Sequence, residues 1–96
     1  MSANEPSRLT LDRAVIGETL AVLDVEAPAQ SPEWARWLEE IGFVNGEHVR
    51  LMVKAAPGGD PMVVRVGQST FALRCAEAAC VGVLPLGQVL AKAASA

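Results

Sequence analysis

Histidine occurs once in this chain and cysteine twice, and each scarcity removes a class of chemistry. Histidine is the usual general base at neutral pH, and His48 has no nucleophile visibly paired to it, so no catalytic residue is expected. Cys75 and Cys80 are too few and too close for a disulfide framework, and the Cys-x4-Cys spacing has no second ligand pair. They read as reduced, partly buried thiols on or beside a strand. The phosphate-binding loop, the dinucleotide fingerprint and the His-Glu-x-x-His metal motif are all missing, so no cofactor is expected either. No apolar run approaches the ~20 residues that span a bilayer. The opening Met1 to Arg8 lacks the basic-then-apolar order of a secretory signal. The chain is therefore expected to be cytoplasmic and not itself membrane-embedded. Eleven acidic residues against eight basic ones give a net charge of −3, which leaves no counterion-release drive toward nucleic acid.

What is present suits one small globular domain: 96 residues, 51% of them hydrophobic and 20% charged. Residues 1–8 read as a flexible leader, 9–84 as the folded unit, and 85–96 as an alanine-rich tail that suits a frayed end or a short amphipathic helix. From Glu18 to Glu26 the aliphatic, β-branched composition predicts a strand, with Leu23 and Val25 facing inward. Ser31-Pro32 carries the cap and first-turn signals of a helix, and Gly42 the stop, so a helix is predicted over 32–41. Trp34, Trp37, Leu38 and Ile41 fall on one face of it, opposite Arg36, Glu39 and Glu40.

Beyond the Asn45-Gly46 turn, residues 47–55 alternate, with Val49, Leu51 and Val53 set toward a core and His48, Arg50, Met52 and Lys54 toward water. Pro57-Gly58-Gly59-Asp60-Pro61 is a turn, 62–66 a strand, Gly67-Gln68-Ser69 a second turn and 70–74 a strand. One helical turn is expected over 76–79 and a last strand over 81–84. Short strands in close succession around one helix predict a mainly β fold, a small closed barrel of SH3-like topology.

In their order and spacing, Ala35 to Gly46, Pro57-Gly58-Gly59-Asp60-Pro61, and Gly67 with Ala72-Leu73-Arg74-x-x-Glu77-Ala78 resemble the FeoA family of ferrous iron transport proteins. The resemblance runs from about Leu9 to Val83. Two positions depart from the family pattern: Trp37 stands where arginine is usual, and Asn45 where proline is usual. Several shared residues have physical roles of their own. Gly42 and Gly46 suit positions where a side chain would clash, Asp60 can bond amides inside its turn, and Pro61 keeps that turn out of the strand ladder. Gly59 and Gly67 belong to the same turn motifs, and Arg74 and Glu77 are spaced to pin a corner by a salt bridge.

The resemblance implies an accessory protein of ferrous iron uptake that engages the cytosolic GTPase region of a FeoB-type permease. A domain this small is not expected to bury two tryptophans on one helix fully, so Trp34 and Trp37, with Leu38 beneath them, are the expected partner surface. The same face would also permit a homodimer. Two other readings stay open. One is a stand-alone relative of the SH3-like domain of iron-dependent repressors, working through a protein partner. The other is a metal carrier in which His48, Cys75 and Cys80 hold iron or zinc as cargo. A surface zinc site shared between two copies, with His48 from each, is a separate possibility that zinc-dependent dimerisation would reveal.

Overall fold

The computed structural model describes residues 9–55 and 58–87. The leader 1–8, Pro57 of the first turn and the tail from 88 onward lie outside the described residues. Five strands form one antiparallel sheet in the order β4-β3-β2-β1-β5. They are β1 (Thr19–Val25), β2 (His48–Lys54), β3 (Met62–Val66), β4 (Ser69–Leu73) and β5 (Val81–Pro85). A 3-10 turn at Leu11–Arg13 precedes β1, α1 (Glu33–Glu40) links β1 to β2, and α2 (Cys75–Ala78) links β4 to β5. The helix and helical turn thus fall within one residue of where the sequence places them. No helix among the described residues is long and apolar enough to cross a membrane.

The sheet's two ends, β4 and β5, are not paired with each other. The barrel is completed there by α2 packed on the 3-10 turn, not by a strand ladder running all the way round. Just ahead of that turn, Leu9 accepts the Val83 N–H at 2.9 Å and Thr10 bridges to Gly82, which covers the free edge of β5. Leu11, Ala14 and Ala78 from these pieces join Leu20, Val22, Leu38, Phe43, Val49, Leu51, Val64, Leu73, Val81 and Val83 in one core. Among the described residues no charged or polar side chain is buried, so apolar burial holds the domain together.

Two bulges decide which side chains enter that core. Val22 pairs with Val83 and Asp24 with Gly82, leaving Leu23 as an extra residue in β1. Leu20 and Val22 are consequently buried, Leu23 is exposed, and Val25 returns to the core side opposite Val81. The inward assignment of Leu23 is therefore corrected, because an inserted residue turns the chain's alternation over. The same happens in β2: Leu51 pairs with Val64 and Val53 with Val63, so Met52 is extra. Val53, expected in the core, is 52% exposed.

Candidate functional site

Helix α1 owes its position to its C-terminal end. Gly42 takes φ +127°, its N–H bonds to Glu39 O at 3.1 Å, and the Phe43 N–H bonds to Leu38 O at 3.0 Å. This paired closure is the Schellman arrangement, and it accounts for carbonyls the helix itself leaves free. Leu38 and Phe43, the apolar partners that accompany it, are both fully buried. The first turn closes through the main chain, with the Trp34 N–H donating to Ser31 O at 3.0 Å. Crowding does not explain the glycines at 42 and 46, contrary to the sequence reading. A Cβ at Gly42 would meet Val66 at an ordinary 3.6 Å and one at Gly46 would meet nothing. Positive φ at both, +127° and +90°, is what favours glycine.

With Leu38 in the core, the helix presents its tryptophans unequally. Trp34 is half-buried and packs against the core, whereas Trp37 is 39% exposed. Leu38 lies at 0%, so the accessible part of this face consists of Trp37 and the outer side of Trp34. Glu33, Arg36, Glu39 and Glu40 are exposed around them. At the far end of the helix Leu23 and Val44 are exposed as well. Asn45, which lies next to Val44, donates from Nδ2 to Leu23 O at 2.7 Å. The asparagine that replaces the family's usual proline therefore does more than tolerate a turn: it satisfies the carbonyl of the β1 bulge.

The Gly59-Asp60-Pro61 turn and the Arg74-to-Glu77 segment meet at one corner. Asp60 Oδ1 accepts the Cys75 N–H at 2.8 Å, so its bond leaves its own turn and caps the first amides of α2. Glu77 Oε1 accepts the Arg74 N–H at 2.8 Å, and the Glu77 N–H returns to Arg74 O at 3.0 Å. The corner is thus pinned by a carboxylate on a main-chain amide, where a salt bridge to the Arg74 guanidinium had been expected. Pro61 does not stand outside the ladder: its carbonyl accepts the Ala55 N–H at 3.0 Å, extending the β2–β3 pairing by one bond. Gly59 donates to Ala55 O at 2.7 Å, and its own carbonyl lies 3.4 Å from Cys75 Sγ.

Neither cysteine is in a disulfide; Cys75 is half-buried, and Cys80 is buried with its Sγ donating to Ala76 O at 3.5 Å. Burial raises the pKa of Cys75 above its ordinary value, and the Asp60 carboxylate raises it further, with Asp12 adding to this and Lys54 opposing it. The thiol thus stays protonated at neutral pH, which disfavours both nucleophilic attack and thiolate ligation. At pH 8, iodoacetamide should alkylate Cys75 several-fold more slowly than a free cysteine peptide, and Asp60→Asn should speed the reaction. Alkylation at the rate of the free peptide would contradict this assignment. Cys80 should react only on unfolding.

His48 lies elsewhere, exposed on β2. Among the described residues no three His, Cys, Asp or Glu side chains converge to hold a metal ion.

Compared with known families, residues 9–85 match the FeoA domain. The chain belongs to the FeoA family. Among solved structures, FeoA of Stenotrophomonas maltophilia, an SH3 domain protein complexed with zinc, shares 40% sequence identity. That match covers 78% of this chain and 88% of the other, with a TM-score of 0.71. Iron(II) transport protein A of Clostridium thermocellum shares 32% identity over 82% of this chain and 46% of its own, also at a TM-score of 0.71. A manganese-dependent transcriptional repressor, at 19% identity and a TM-score of 0.67 over 88% of this chain and 46% of its own, shares the fold. No curated protein matches the chain. This FeoA domain is accordingly mainly β with SH3-like topology and belongs to a family of ferrous iron transport.

Proposed function

We propose that this FeoA protein is a non-enzymatic, cytoplasmic accessory factor of ferrous iron uptake that binds the cytosolic GTPase region of a FeoB-type permease through Trp37 and the outer side of Trp34. The observation that carries this reading is the division of labour on α1. Leu38 and the Schellman closure anchor the helix, while the neighbouring Trp37 is left 39% exposed. A large aromatic held at low entropic cost on a rigid element is the kind of residue that dominates interfaces. The Stenotrophomonas maltophilia relative has itself been put forward as a ferrous iron transport activating factor, and the shared family and fold support extending that role to this chain. Affinity capture from the chain's own cells, with the tagged protein as bait, tests the choice of partner. Recovery of a membrane GTPase supports the proposal. Recovery of a DNA-binding regulator in its place would support the transcriptional alternative.

Zinc in that same relative favours a second reading, a zinc site shared by two copies of this chain. His48 is exposed on β2, and one copy lacks a converging ligand set among its described residues, so each copy would contribute its histidine to a joint site. Sedimentation should then show a zinc-dependent dimer that is lost on His48→Ala. A monomer at every zinc concentration would end that reading.

A further inference from the structure

Register places two arginines side by side on the outside of the sheet. Arg50 of β2 pairs directly with Arg65 of β3. The row continues to Thr19 of β1 on one side and to Thr70 of β4 on the other. Like charges directly opposite each other destabilise a sheet, and opposite charges are the usual stabilising choice. Here the row Thr19-Arg50-Arg65-Thr70 contains no carboxylate, in a protein whose net charge is −3.

The two side chains also frame a space. An open cleft of about 230 Å³ is lined by Thr19, His48, Val49, Arg50, Arg65 and Gly67. Arg50 is steadied by its Nη2, which donates to Thr19 Oγ1 at 2.8 Å. The exposed Arg65 side chain has no hydrogen bond or ion pair among the described residues. Nearby negative charge comes from Glu47, whose Oε2 would lie 2.9 Å from a Cβ placed on Gly67. That carboxylate borders the cleft beside Gly67 and is not among the residues lining it.

We propose that this cleft is an oxyanion-binding site, in which Arg50 and Arg65 together hold a single carboxylate or phosphate group. Guanidinium forks match both groups in geometry, and two of them converging on one anion turn an unfavourable cross-strand pair into a favourable triad. The cleft is smaller than the roughly 300–1,000 Å³ of sites that enclose a whole drug-sized ligand. The occupant is therefore one anionic group, with the rest of its molecule outside. None of the lining residues belongs to α1, and the test does not involve the permease.

Amide-detected NMR titration at low ionic strength provides the test, with inorganic phosphate and an acetylated, amidated triglutamate peptide as the two probes and sodium chloride as the control. At least one probe should give saturable shifts concentrated at Thr19, His48 to Arg50 and Arg65 to Gly67, with a dissociation constant of about 1 mM. The tighter-binding probe identifies phosphate or carboxylate as the source. Arg65→Gln and Arg50→Gln should each weaken binding at least about tenfold, and Glu47→Gln should tighten it. Arg65 is exposed, so its replacement leaves the fold intact. Absence of saturation with both probes, equal shifts with chloride, or unchanged affinity in Arg65→Gln would overturn the proposal.

Discussion

Trp37→Ala should weaken binding to the GTPase region at least about 30-fold, the equivalent of the ~2 kcal/mol that marks an interface hot spot, while the domain stays folded. The basis is exposure. Trp37 is 39% accessible, and the helix that carries it is fixed by residues other than itself. Removing a partly covered surface ring should cost about 1 kcal/mol or less and lower the melting midpoint by no more than about 5 °C. Titration of the variant, alongside thermal unfolding followed by circular dichroism, reads both quantities. A variant that binds as tightly as the parent removes Trp37 from the interface. One that unfolds makes the ring a piece of the core.

Leu38→Ala should do the reverse, although it is the next residue along. Its side chain is fully buried at the centre of the core cluster, and its carbonyl receives the Phe43 N–H in the helix closure. Truncating a buried leucine typically costs about 2–5 kcal/mol, because a cavity is added to the lost transfer energy. A domain of this size has a total stability of about 5–15 kcal/mol. Chemical denaturation should therefore show a midpoint reduced by a large fraction. Any loss of binding by this variant should scale with the unfolded population and disappear at low temperature, where the fold recovers. A loss of less than about 1 kcal/mol would contradict the packing described here.

The contrast between these neighbours was only half legible in the sequence. Gly42 marked the end of α1 because its closure is local. At the start Pro32, not Ser31, is the N-cap and no side chain caps the helix, so the Ser31-Pro32 signal located that end without the expected serine cap. The apolar spacing identified the buried side of the helix. Which tryptophan stays at the surface depends on what packs against the helix, and that information lies in other strands. Strand β3 falls at the expected 62–66, and its Met62, Val64 and Val66 are buried in uninterrupted alternation. Leu23 and Val53 were misassigned because a bulge inserts a residue without any mark in composition. Both bulges, moreover, sit among aliphatic side chains that look equally fit for either face.

Long-range polar pairing escaped the sequence for a related reason. Asn45 reaches Leu23 and Asp60 reaches Cys75, partners 22 and 15 positions apart that come together only once the strands are in register. Arg50 was legible as a wet-face residue, but not as the neighbour of Arg65. That pairing is set by the turn between β2 and β3 and by the extra residue at Met52, and neither can be read from the alternation of side chains.

The measurement that bears most directly on the account is calorimetric titration of the protein into the purified cytosolic GTPase region of its own organism's ferrous iron permease, with and without nucleotide. Saturable, nucleotide-sensitive heat is expected, with an affinity that Trp37→Ala lowers at least about 30-fold and that Arg65→Gln leaves unchanged. Absence of binding to the isolated region and to the full-length permease in detergent would contradict it.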